Sequence, residues 1–167
     1  MSKIYVGTYH KYNEGSLGGD WLDLSDYASK EHFLEACAEL HSDENDPELM
    51  FQDWEDIPSR FISESDVDER TWEWLELSDE EREVVAAYME DIDNMAPIAT
   101  AIDCYDGTHD SPEDWARDFW EHTGMLNEVP EFAHSYIDYE QYARDAQLGG
   151  DMTFVEKGRK VRAFRRF

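Results

Sequence analysis

About one residue in four of this chain is Asp or Glu, and these acids are interleaved with Trp, Tyr, Phe and aliphatic residues rather than gathered in a separate tail. A fold that accepts such a pattern must turn the apolar side chains of each element inward and crowd carboxylates outside, at a lasting cost in self-repulsion. With 41 acids against 14 Lys or Arg, the net charge of -27 makes the molecule attractive to surfaces built for polyanions and repels it from anionic membranes. Six Trp, nine Tyr and eight Phe separate it from disordered acidic sequences, which are poor in aromatics. A folded protein is expected.

The charge is unevenly spread. Lys157 to Phe167 holds six basic residues and no acids, whereas Glu35 to Asp93 holds 22 acids and only Arg60, Arg70 and Arg82 as bases. No stretch approaches the roughly 20 apolar residues of a membrane span, and Met1-Ser2-Lys3-Ile4-Tyr5-Val6 lacks a signal-peptide core. Cys37 and Cys104 form no CxxC. Two cysteines allow a disulfide, but free thiols in a reducing cytoplasm are the expectation.

The patterning predicts an α+β chain in three parts, with boundaries near residues 60 and 104. In 1–60, Lys3 to Tyr9 reads as a strand entering a turn around Asn13, Gly15, Gly18 and Gly19, with Asp20 to Leu24 as its partner. Ser29 caps a helix to about Leu40 with Phe33, Leu34, Cys37 and Leu40 on one face, and Leu49 to Trp54 reads as another strand. In 61–104, helical spacing leads to the capping box of Ser78 and Glu81, then to Val84, Val85, Tyr88, Met89 and Ile92 as an apolar face. A short helix is expected near Pro97. In 105–167, a turn at Asp106-Gly107 precedes Ser111-Pro112-Glu113-Asp114, a strong helix start; Trp115, Phe119 and Trp120 form its buried face and Gly124 stops it. A helix from Asp138 to Ala146 and a hairpin of Met152 to Glu156 with Lys160 to Phe164 complete the chain. Trp72, Trp74, Trp115 and Trp120 are expected in the core.

The spacings that enzymes require are absent from the sequence. The six histidines show no HExxH, Asp43-Glu44-Asn45-Asp46 lacks the glycine and terminal glutamate of an EF-hand loop, and Gly15, Gly18 and Gly19 do not make GxGxxG. His109 and Asp110 near Asp103, Cys104 and Asp106 could be drawn as a ligand cluster, but a polar loop is the expected reading. No catalytic residue, cofactor or metal is assigned.

Two segments carry a resemblance. Ile4-Tyr5-Val6, Lys11-Tyr12-Asn13-Glu14-Gly15 and Gly19-Asp20-Trp21 form one; Thr123-Gly124-Met125-Leu126-Asn127-Glu128-Val129-Pro130, Tyr136-Ile137-Asp138-Tyr139 and Tyr142-Ala143-Arg144-Asp145 form the other. Together they resemble the ArdA family of antirestriction proteins over nearly the whole chain. The resemblance implies an elongated homodimer of three small domains per subunit, joined through the C-terminal domain and found in the cytoplasm of hosts of mobile genetic elements. It further implies inhibition of type I restriction-modification enzymes by occupation of the DNA groove of their methyltransferase core, without binding of nucleic acid by the chain itself. Leu126, Asn127, Glu128, Val129, Pro130, Tyr136, Ile137, Asp138 and Tyr139 then fall in the antirestriction motif.

Electrostatic magnitudes agree with such mimicry: duplex DNA carries about one charge per 1.7 Å, so 27 charges match roughly 46 Å of helix. Helical carboxylates three or four positions apart lie about 5 to 6 Å from one another, close to the spacing of phosphates. Glu69, Glu73 and Glu76, then Glu80, Glu83, Glu90 and Asp91, then Glu113, Asp114, Asp118 and Glu121 are the candidate mimic surface. Any one of them taken singly reads first as a solvated group, and only the ensemble is expected to be functional. Two other classes stay open at this level: an acidic adaptor for a basic DNA-associated protein, and a salt-adapted protein of unrelated role. The basic C-terminal segment is expected to offset acidic repulsion at a subunit junction.

Overall fold

The computed structural model describes residues 1–166, leaving Phe167 outside the described residues. The chain mixes helix and sheet and divides into two compact units, Met1–Leu77 and Ser78–Phe167. Each unit is built on a three-stranded antiparallel sheet.

In the first unit the strand order is β2-β1-β3, with β1 at Lys3–Thr8, β2 at Asp20–Asp23 and β3 at Leu49–Glu55. β1 is central because Ile4 and Val6 turn the same way and are wholly buried, while Lys3 stays toward water. A bulge between Tyr5 and Val6 shifts its register against β3. The chain does not turn directly after β1: Thr8 accepts from the Lys11 amide and starts a five-residue helix, α1, at Tyr9–Asn13. That helix lay hidden behind the glycine-rich stretch that follows it. α2, at Lys30–Leu40, begins at the predicted Ser29 cap and buries Phe33 and Cys37. Burial pushes the Cys37 thiol up to about 12, so it stays neutral as a small apolar group. His41, also buried, accepts from the Lys11 ammonium at 2.8 Å through Nδ1 and donates to the Val6 carbonyl at 3.0 Å through Nε2. A single ring thus ties the end of α2 to β1.

The segment from 61 to 104, expected as a helical part of its own, is shared between the units. α3, at Arg70–Glu76, belongs to the first unit, where Trp74 meets Phe61 edge-on at 5.6 Å and Trp72 lies 5.8 Å from Phe33. These aromatic contacts carry the first unit past Pro58, where the sequence suggested it would end. Next to them, Arg70 grips Asp68 with Nε at 3.0 Å from one carboxylate oxygen and Nη2 at 2.6 Å from the other. The guanidinium holds the Asp68 carboxyl below its ordinary value of 3.8, against the opposing push of partial burial. A depressed carboxylate stabilises the fold above its unfolded value and loses that contribution as pH falls through the folded one. Asp68→Asn therefore lowers stability by about 1 kcal/mol near neutral pH, a figure kept small by solvent screening, and by nothing measurable well below the ordinary carboxylate range. Urea unfolding of both proteins near pH 7 and near pH 2 checks this; an equal gap at both pH values would contradict it.

The second unit has the order β4-β6-β5, with β4 at Tyr105–His109, β5 at Met152–Lys157 and β6 at Lys160–Arg165. The hairpin was legible in sequence; β4 was not. Its Asp106-Gly107 pair is a bulge in the strand, between Tyr105 and Thr108, rather than a chain reversal. Gly107 has φ 96°, and a Cβ there would come within 2.9 Å of the His109 ring. α4, at Asp79–Asp91, starts at the predicted capping box, since Ser78 accepts from the Glu81 amide and Glu81 accepts from the Ser78 amide. Val84, Val85, Tyr88 and Met89 are buried as read, whereas Ile92 is the residue that ends the helix and stays exposed. α5, at Ile98–Cys104, follows Pro97. α6, at Pro112–His122, is capped by Ser111 and gives way to Gly124 at φ 75°. α7, at Tyr139–Leu148, is capped by Asp138. Trp115, Ala116, Tyr139, Ala143, Met152 and Ala163 form the core between α6, α7 and the sheet, with Trp120 only partly covered.

Candidate functional site

The eleven candidate carboxylates separate into two groups by what lies beside them. On α3 and its entry, Glu69, Glu73 and Glu76 follow a seven-residue helical spacing, all exposed, with the buried Thr71 and Trp74 on other sides of the same turns. Among the described residues none of the three forms an ion pair. On α4 the stripe Glu80, Glu83, Glu90 and Asp91 is exposed as predicted, but its middle is engaged. Glu83 pairs with Arg162 of β6 and Glu90 with Lys157 of β5, the latter at 3.5 Å. Glu80 and Asp91, at the two ends, have no ion pair among the described residues.

α6 divides in the same way. Asp114 accepts from the Ser111 hydroxyl at 2.9 Å and is only half exposed, so its role is to close the cap. Asp118 lies 3.2 Å from the His109 ring, and Glu113 pairs with Arg117 at 3.1 Å across one helical turn. Arg117 also covers the Tyr139 ring at 4.6 Å. Glu121 is exposed and without an ion pair among the described residues.

The basic C-terminal segment supplies the cations that engage α4 and acids near β4. Lys157, Lys160 and Arg162 pair with Glu90, Asp110 and Glu83, and the Arg165 guanidinium lies 3.9 Å from Asp106 and donates to the Asp103 carbonyl at 3.3 Å. The Lys160 ammonium holds the Asp110 carboxyl below the usual range. These cations neutralise acids of their own unit. The reason is topological: Lys157 ends β5, and β6 is the middle strand, so Arg162 reaches α4 while Lys160 and Arg165 reach acids at the two ends of β4.

The motif segment forms two short 3₁₀ turns, Met125–Glu128 and Glu131–Tyr136, ahead of the Asp138 cap. His134 Nε2 donates to the carbonyls of Leu126 at 3.0 Å and Val129 at 2.8 Å, which clasps the turn around Pro130. Leu126, Val129 and Ile137 are half-buried beneath it, Asn127, Glu128, Pro130 and Asp138 are exposed, and Tyr139 is buried against Trp120. Tyr136 and the neighbouring Phe132 stand out, 84% and 81% exposed. The clasp by His134 and the display of Phe132 escaped the sequence reading, which had no periodic signal to use in a 3₁₀ stretch.

The possible ligand cluster near His109 is dispersed. Asp110 is taken by Lys160, Cys104 is buried within hydrogen-bonding reach of the Tyr88 hydroxyl, and His109 faces Asp118 and the Asp106 carbonyl. No group of three or more metal-ligating side chains gathers among the described residues, and no helix among them is long and apolar enough to cross a membrane. In the first unit a cleft lies between α3 and the turn at Leu24–Asp26, with Asp26, Glu73 and Glu76 at its edge. Asp26 escaped notice because it sits in a 3₁₀ turn, remote in sequence from the α3 residues that line the same cleft.

Comparison with known protein families matches residues 4–161 to the one described as antirestriction protein (ArdA). A comparison with individual curated proteins finds no match.

Proposed function

The chain belongs to the ArdA family of antirestriction proteins, and on that premise we propose that it inhibits type I restriction-modification enzymes by occupying the groove in which they hold duplex DNA. It acts by binding and not by catalysis. The observation that carries this reading is the set of exposed helical carboxylates left without cations, Glu69, Glu73, Glu76, Glu80, Asp91 and Glu121, in a molecule of net charge -27. A DNA groove lined by Lys and Arg offers such carboxylates the partners they lack, and releases counterions as phosphates do.

Glu83, Glu90, Glu113, Asp114 and Asp118 contribute to the long-range field that steers encounter, while their short-range contacts are already made within the chain. The proposal includes a homodimer formed through the C-terminal segment. Tyr136 of the motif and Phe132 between its two stretches, both large and exposed, suit the core of such a contact better than they suit water.

A competition assay with a purified type I methyltransferase and labelled duplex tests the reading. Full displacement of duplex at low ionic strength is expected, with affinity falling steeply as salt is raised. If duplex stays bound at a large excess of this protein in low salt, groove occupation is wrong.

A further inference from the structure

One charged surface of the first unit combines carboxylates with a cavity and an aromatic wall. The cleft has a volume of about 620 Å³ and is bounded by the Leu24–Asp26 turn, Tyr27 and Ala28 on one side and by Trp72, Glu73, Leu75 and Glu76 of α3 on the other. Its wall is fixed. Trp72 Nε1 donates to the Tyr27 carbonyl at 3.1 Å, and both rings rest on the fully buried Phe33, Tyr27 edge-on at 5.6 Å and Trp72 tilted at 5.8 Å.

We propose that this cleft is an arginine slot, which receives a guanidinium side chain projecting from the DNA-binding surface of the target enzyme. The inference rests on the groove-occupation reading and names one of its contacts. The chemistry of the lining selects the occupant. Asp26, Glu73 and Glu76 are exposed and carry no ion pair among the described residues, so the slot demands a cation. Leu75, half-buried, offers an apolar bed for a methylene stem, and Trp72 and Tyr27 line the same cleft with aromatic rings, the partners on which a planar cation stacks. Arginine satisfies all three, since its guanidinium stacks on aromatics and bonds carboxylates two at a time; an ammonium is more strongly hydrated and gains less from a ring. The same negative field is felt by the Tyr27 phenol, which is raised first by burial and then by the Asp26 carboxylate.

Two triple variants with equal loss of charge separate a slot from bulk electrostatics. One carries Asp26→Asn, Glu73→Gln and Glu76→Gln; the other carries Glu31→Gln, Glu35→Gln and Glu39→Gln on the exposed face of α2. All six residues are exposed, and matched thermal unfolding of the two variants confirms that neither has lost its fold. In the methyltransferase competition assay the slot variant is expected to lose about tenfold in affinity and the α2 variant about twofold or less. The ratio between them should survive an increase to about 0.3 M salt, because stacking and paired hydrogen bonds act at contact range. Equal losses that vanish together in salt would overturn the slot while leaving groove occupation intact. Failure of the unaltered protein to displace duplex would instead remove the reading on which the slot rests.

Discussion

Truncating the chain after Glu156 is expected to unfold the second unit and abolish inhibition. The removed segment contains β6, which is paired with β5 from Met152–Arg165 to Lys157–Lys160 and with β4 on its other edge, so two sheet neighbours lose their backbone partners at once. It also contributes Val161, Ala163 and Phe164, all buried. Phe164 meets Tyr88 of α4 at 5.3 Å and Tyr105 of β4 at 5.8 Å, so one ring joins three elements. Phe164→Ala alone should cost about 3 to 5 kcal/mol. Two compact units in the intact chain become one in the truncated chain, and urea unfolding followed by circular dichroism should show a correspondingly smaller cooperative transition. A truncated protein that keeps the full transition and still protects DNA from restriction would refute the assignment of β6 as the structural centre of its unit.

That role for the C-terminal segment was only half legible in the sequence. The hairpin itself was read from Lys157-Gly158 between two alternating stretches, and the two caps at Ser78 and Ser111 were read because capping is local, set by residues three positions apart. The same is true of the Asp138 cap and the stop at Gly124. What was lost is what depends on distant partners. β4 was missed because Asp-Gly is a strong turn signal, and only pairing with β6 makes it a bulge. The fate of Lys157, Lys160 and Arg162 could not be read either, since each finds its carboxylate 50 or more residues away in the chain. α3 looked like the start of a helical body; its tryptophans in fact complete the aromatic cluster begun by Phe33 and Phe61. The candidate carboxylates were legible as exposed groups from the 3.6-residue period, but their division into engaged and unengaged sets was written in those long-range pairs.

The division predicts unequal effects from chemically identical substitutions. Replacing Glu69, Glu80 and Glu121 together by Gln is expected to weaken inhibition about 30-fold, or roughly 0.7 kcal/mol for each site, near physiological salt. Replacing Glu83, Glu90 and Glu113 together by Gln removes the same charge, yet is expected to weaken inhibition only about threefold. Both variants lose an equal share of the long-range field, and at a Debye length of about 8 Å that share is small. Only the first loses carboxylates free to meet a cation of the enzyme at contact distance. The second pays in stability instead: Arg162 is 12% exposed, and without Glu83 its guanidinium stays against α4 with one fewer acceptor. The assay is duplex displacement measured beside urea unfolding for both variants. If the two triple variants inhibit equally, net charge alone governs binding, and the pattern of ion pairs has no bearing on which carboxylates imitate phosphate.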